Sequence, residues 1–372
     1  MPSLPILPDL LNSNNPDKHA FKRHSLKWRL MLSAVISALI LFLLWLIVSA
    51  GEQVEDAILF STVLRDTSWW LASTYIITAV IGTLIRALRY RSLLKADGIS
   101  TVPDTRYMFL ITLCRNMFVD MVPARIGEAS YVLMLKRGYN VPVSVGLSTL
   151  FISVVLDILA LAIILIAIVL AGLLSASQSV GSVGNALVAT SLIVFVFGML
   201  VYSAVPLSQW FARIMDFTQV RILQRFAKFL VEVGLSIRRV QMREILSLTL
   251  LQSLVMRALK YSGLYILFVA VTTSSFPEFS SLSWWQVLPA FISAEAAASL
   301  PLPTFMSFGT YEGGGLLAFS LLGFASADIL MIMLAIHLIS QVVDYTLGGL
   351  GLLGYFLATG ETYNTDPEVK DE

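Results

Sequence analysis

A chain of 372 residues that is 57% hydrophobic and 13% charged, with net charge +1 and mean hydropathy +0.81, is too apolar for a soluble domain and predicts an integral membrane protein. One cysteine, Cys114, and three scattered histidines, His19, His24 and His337, exclude a disulfide framework and a metal site legible in sequence. The even charge balance leaves no nucleic-acid footprint, and no cofactor is expected.

Residues 1–29 carry Pro2, Pro5, Pro8 and Pro16, then Lys18, Lys22, Arg23, Lys27 and Arg29, and read as a flexible cytoplasmic tail. The apolar run 30–50 exceeds the roughly 7–15 residues of a signal-peptide core and is read as a retained span. Further runs at 69–88, 143–174, 186–205, 245–271 and 329–357 each have the length to cross about 30 Å at about 1.5 Å per residue. One transmembrane domain over 30–358 with about six crossings is therefore predicted, followed by an acidic cytoplasmic tail at 359–372. Lys and Arg of short loops favour the cytoplasm. Arg86, Arg89, Arg91 and Lys95 after the second run, and the basic stretch from Arg213 to Arg243, fall inside, which places both termini inside as well. Within that stretch, residues 217–240 alternate Arg221, Arg225, Lys228 and Arg239 with Val220, Leu223, Phe226 and Leu230, and predict an amphipathic helix in the inner headgroup layer.

Two apolar stretches do not fit as crossings. Residues 107–135 and 284–322 are each broken in the middle by Pro and Gly, and each must start and end on one side if the basic loops are to stay cytoplasmic. Both are predicted to be re-entrant helical hairpins, which a bilayer tolerates where irregular backbone is buried in protein or lines a wet cavity. They also begin a repeat. Pro123, Gly127 and Glu128 are followed by "LFISVVLD" ending at Asp157; Pro303, Gly309 and Glu312 are followed by "HLISQVVD" ending at Asp344. The orientation argument sends the first copy (about 107–172) outward and the second (about 284–358) inward. The predicted fold class is thus all-α, with two hairpins in an inverted repeat whose half-helices meet a substrate near the midplane.

Arg115, Asp120, Arg125, Glu128, Asp157, Arg257, Lys260, Glu295, Glu312, His337 and Asp344 stand within these apolar segments. An ionisable group costs about 2.5–3.5 kcal/mol at the bilayer centre on insertion scales, so each must be paired, hydrated or used. Arg257 and Lys260 share a helix face, where they either clamp a phosphate or snorkel to the inner surface. Arg125 and Glu128 open the second half-helix of the first hairpin, where a helix N-terminus adds positive potential. Asp157 and Asp344, matched in the repeat, serve either a substrate or helix-to-helix bonding, and His337 reads as a satisfied core histidine. The second tip offers Thr304, Ser307 and Thr310 hydroxyls beside Glu312, with Gly313, Gly314 and Gly315 for close backbone approach or tight helix packing.

The stretch "NMFVDMVPARIGEASYVLMLKRGYNVPVSVGLSTL" resembles the first signature of the lysylphosphatidylglycerol synthase transmembrane-domain family of flippase-like proteins, and residues 301–315 resemble the second. The resemblance covers roughly 30–357. It implies a polytopic helical fold with inverted repeats and re-entrant helices that moves lipid headgroups between leaflets, in a plasma membrane. In fused members a soluble aminoacyl transferase follows; none is expected here, so no synthase activity is implied. Two places depart from the family pattern: Ser153 and Val154 are uncharged where Glu-Arg is usual, and Thr304, Phe305 and Met306 stand where glycines follow the proline.

The expected function is a lipid flippase, not an enzyme, in which a headgroup passes along a hydrated groove between the hairpins. Arg115, Arg125, Arg257 and Lys260 would hold a phosphate, Glu128 and Glu312 would exchange protons at the tips, and Asp157, Thr310 and Asp344 complete the expected substrate-binding set. The expected partners are a phospholipid or polyprenyl-phosphate-linked lipid and the membrane itself, with no nucleic acid; self-association and a separate lipid-synthesising enzyme are left open. The rival readings are a secondary transporter of a small solute or ion, a scaffold for membrane partners, and a membrane enzyme acting on lipid phosphate, for which no acid–base constellation is apparent.

Overall fold

A computed structural model describes residues 16–49, 60–121, 127–174, 245–300, 302–324 and 326–365, with residues 231, 232, 234, 235, 238 and 239 between them. Among these the chain is helical and has no strand. In chain order the helices are α1 (Pro16–Ser49), α2 (Phe60–Asp66), α3 (Trp69–Ala96), α4 (Thr105–Met121), α5 (Ala129–Tyr139), α6 (Val143–Leu174), α7 (Leu246–Ser275), α8 (Pro277–Ser280), α9 (Trp284–Ala298), α10 (Thr310–Leu321) and α11 (Ala327–Thr365), with a 3-10 turn at Phe305–Ser307.

Among the described residues four helical stretches are long and apolar enough to cross a membrane: Trp69–Ala96, Val143–Ala167, Leu246–Ser275 and Ala327–Leu357. They coincide with four of the six predicted runs. The run at 30–50 falls on α1, whose apolar part is Met31–Ile47. The run at 186–205 and nearly all of 217–240 lie outside the described residues. Trp70, Leu321, Leu353 and Phe356 are exposed apolar side chains, and the interior joins an apolar core to buried polar groups that include Arg89, Arg115, Glu312 and His337. An outer surface of this kind suits hydrocarbon rather than water as the surrounding medium.

The remaining helices are short. The 17 residues of α4, 11 of α5, 15 of α9 and 12 of α10 reach about 17–25 Å, less than the hydrocarbon thickness. α9 and α10 lie against one another where Gly314 meets Ser293, Ala294 and Ala297; a Cβ there would stand 2.6 Å from the Ala297 Cβ. The chain between them turns through Met306 (φ 53), Ser307 (φ 62) and Gly309 (φ 89), left-handed conformations that end a helix abruptly. Glycine at 309 is demanded twice, by its φ and by Ile40, which an added Cβ would approach to 2.8 Å. The turn's backbone is served from α1: the Phe305 N–H donates to Ser37 Oγ at 2.8 Å. This second turn therefore sits beside Ser37–Ile40, the middle of α1's apolar stretch.

α4 runs antiparallel along α11, with Leu110 against Gly354, Leu113 against Gly351 and Met117 against Gly348. Three glycines one turn apart let the backbones approach closely. The order of these contacts brings the end of α4, at Met121, to the level of Asp344 on α11. The second turn meets α11 at His337, about two helical turns away. The end of α4, where the first break begins, and the second turn thus both approach the middle of α11.

Candidate functional site

α3, α4, α6, α7, α9 and α11 enclose a cavity of about 450 Å³ lined by Arg86, Arg115, Arg257 and Lys260 and by Asp120, Asp157, Glu295 and Asp344. Its floor is an ion-pair network. Asp157 of α6 meets Arg89 of α3 and lies 3.6 Å from Arg257 of α7. Arg257 reaches Glu295 of α9 at 3.2 Å, Lys260 reaches the same carboxylate at 2.7 Å, and the Tyr261 hydroxyl donates to it at 3.4 Å. Arg89 also donates to Ser253 at 2.5 Å. Buried charges are tolerated here because each carboxylate meets two cations, Asp157 those of α3 and α7 and Glu295 two from α7, which fastens α3, α6, α7 and α9 together.

Two further cations are less fully paired. Arg115 of α4 donates to Glu128 at 2.8 Å and to Asn116 at 3.3 Å, and its Nε has no partner among the described residues. Arg86 donates to Asn116 Oδ1 at 2.7 Å and, through Nε, to the Met256 sulfur at 3.2 Å; among the described residues it touches no carboxylate. Asn116 is itself held by Thr83 at 3.3 Å. A guanidinium offers five donors in a fork suited to phosphate, so Arg86 presents a cation whose bonded partners are both neutral.

The expected site residues divide accordingly. Arg115, Asp157, Arg257, Lys260 and Asp344 come together in the cavity lining, and Glu128 joins them through Arg115. Arg257 and Lys260 turn to Glu295 rather than only toward a guest or a surface. Arg125 lies outside the described residues. Thr310 and Glu312 stand apart from the cavity: Thr310 Oγ1 donates to the Ser307 carbonyl at 2.8 Å, and Glu312, fully buried, accepts the Gly309 N–H at 2.6 Å and faces His337 Nδ1 at 2.6 Å. His337 is stacked between Phe308 and Tyr311 and is 3.2 Å from Gln341, a satisfied core histidine as expected. Gly314 and Gly315 serve packing, against α9 and Met333.

The charge rule used Arg86 and Arg89 only to place the segment after the second run on the cytoplasmic side; in the structure α3 continues to Ala96, Arg89 is buried and Arg86 lines the cavity. Their spacing of three, which puts them on one helix face, was the available signal. Asp120 and Glu295 were visible as charges in apolar sequence but were not placed in the site. Tyr75 and Asn116, which also line the cavity, carry no sequence signal. Among the described residues no group of three or more His, Cys, Asp or Glu could hold a metal ion.

Long apolar helices around a charged interior define a polytopic α-helical membrane protein with a polar cavity inside the bundle. A family model described as the lysylphosphatidylglycerol synthase TM region matches residues 26–348, and the chain belongs to that family, which places it among membrane proteins of lipid handling. No curated protein and no solved structure matches it.

Proposed function

We propose that this protein is a lipid flippase of the plasma membrane that passes a phosphate-bearing headgroup between leaflets through the cavity bounded by α3, α4, α6, α7, α9 and α11, while the acyl tails stay in the bilayer. The observation that carries the reading is Arg86, a cavity cation bonded among the described residues only to Asn116 and Met256, with Arg115, whose Nε has no partner among them, sharing the same Asn116. A phosphate is the guest that completes such a pair of forks. A volume of about 450 Å³ lies within the roughly 300–1,000 Å³ of small-molecule sites and suits a headgroup without its tails.

In this reading α4 with α5, and α9 with α10, are the two re-entrant hairpins of an inverted repeat, entering from opposite faces, and the termini are cytoplasmic. The approach of the end of α4 and of the second turn to the middle of α11 supports it, as does the burial of the second turn against the middle of α1. The test is translocation of tail-labelled phosphatidylglycerol in proteoliposomes. The double variant Arg86→Ala, Arg115→Ala removes two charge-assisted contacts of about 1.5–3 kcal/mol each and should slow movement by at least about tenfold. Undiminished movement in a folded double variant refutes the headgroup site, and uptake of water-soluble anions without lipid movement would instead make the protein a solute transporter.

A further inference from the structure

Of the four carboxylates in the cavity lining, Asp157 and Glu295 are each held by two cations. Asp120 and Asp344 make neither an ion pair nor a hydrogen bond among the described residues. Asp120 comes from the last turn of α4 and Asp344 from the middle of α11; both line the one cavity, and Asp344 lies in the electrostatic field of Asp120. A third group meets them. Tyr75 of α3 is only 5% exposed, lines the same cavity, feels both carboxylates and makes no hydrogen bond through its hydroxyl among the described residues.

The charged and titratable groups facing this trio come from six helices: Arg86 of α3, Arg115 of α4, Lys260 of α7, Glu295 of α9, Tyr311 of α10, and His337 and Tyr345 of α11. Among them Arg115 is paired with Glu128 and Lys260 with Glu295, the His337 ring faces Glu312, and Arg86 is bonded to the neutral Asn116. Two like charges in one protein-walled space repel strongly, and a single shared proton removes that repulsion at the lowest demand for ligands. Hard metal cations take about six or more oxygens, more than two carboxylates and a phenol supply.

We propose that Asp120, Asp344 and Tyr75 form a proton site in which the two carboxyls share one proton beside the Tyr75 hydroxyl, and that loading and unloading it drives the cavity between its two openings. One proton from the aqueous phase on one side adds to a carboxylate oxygen and takes the pair from two negative charges to one. It leaves to water on the other side when the cavity reopens, and no electron moves. Because Asp120 stands at the end of α4 and Asp344 in the middle of α11, the change in repulsion acts directly on the contact between the first half-helix and α11. The coupling rests on the lipid-movement reading above; the proton site does not.

Infrared difference spectra of the full chain in phosphatidylglycerol vesicles, which contain no ammonium group, test the site alone. A protonated-carboxyl band that titrates in the wild type and disappears in Asp344→Asn and in Asp120→Asn supports it; a band absent from the wild type, or unchanged in both variants, overturns it. Should the Asn variants fail to fold, Tyr75→Phe carries the test, since loss of the hydroxyl must move the titration midpoint and an unmoved midpoint overturns the proposal. Coupling is read from tail-labelled phosphatidylglycerol under opposed pH gradients. The wild type should move it at rates differing by about tenfold between the two gradient directions, as one proton per cycle across a gradient of one pH unit allows, and a sodium gradient should have no effect. Lipid movement indifferent to the pH gradient overturns the coupling, whereas a titrating site in a protein that moves no lipid refutes the flippase reading and leaves the proton site standing.

Discussion

Glu128 and Glu312 stand at matched places in the two broken segments, yet Glu128 meets Arg115 at 2.8 Å beside the cavity while Glu312 is sealed away with His337 and the Gly309 N–H. Asp157 and Asp344, which close the matched phrases, differ in the opposite sense: Asp157 is clamped between Arg89 and Arg257, and Asp344 makes no ion pair among the described residues. The first segment thus spends its phrase aspartate on holding helices together and leaves its glutamate near the guest. The second spends its glutamate on holding its own turn and leaves its aspartate facing the cavity. Symmetric sequence need not mean symmetric chemistry, because the partner of each charge is supplied by a different helix.

That comparison breaks most visibly at Arg89. Truncation by Arg89→Ala strands Asp157 with one distant cation, and breaking such a buried pair should cost about 3–5 kcal/mol, seen as a large fall in the unfolding temperature in detergent. Asp344→Asn in the same assay should leave stability unchanged or raise it; equal losses would erase the distinction between a clamped and a free aspartate. A smaller effect is expected at the sealed glutamate. Glu312→Gln weakens the charge-assisted bonds to Gly309 and His337 and should cost about 1.5–3 kcal/mol, with proteolysis appearing at the 302–309 turn. A smaller effect still belongs to α1. Ser37→Ala orphans the Phe305 N–H, at about 1–2 kcal/mol, and faster amide exchange confined to that turn would confirm that α1 seals it; uniform exchange would show the seal to be dispensable.

Much of the fold is legible without coordinates because hydrocarbon imposes length and apolarity directly on a helix. The 143–174 run coincides with α6, and the runs near 69, 245 and 329 begin within about two residues of α3, α7 and α11, within the usual uncertainty of helix ends. The breaks at Pro123 and Pro303 were equally visible, since Pro and Gly interrupt backbone bonding wherever they stand. The site was legible only in part. Asp157, Arg257 and Asp344 declare themselves as charges in long apolar runs, but Arg86 and Arg89 near the end of a run look like any basic flank. Whether such a side chain points to the headgroups or inward depends on what the facing helix offers, here Ser253 and Met256 of α7.

The sequence by itself determined that this is a helical membrane protein with two broken segments and a repeated phrase, because these follow from local composition and from the few ways a backbone can satisfy itself in lipid. Tertiary structure alone decided which charges are locked and which face the cavity. A buried charge takes its role from the nearest opposite charge or donor, and in this bundle those partners come from helices far apart in the chain: Arg89 and Asp157 join α3 to α6, Arg257 and Glu295 join α7 to α9, and Asp344 is left facing the cavity because no such partner reaches it among the described residues.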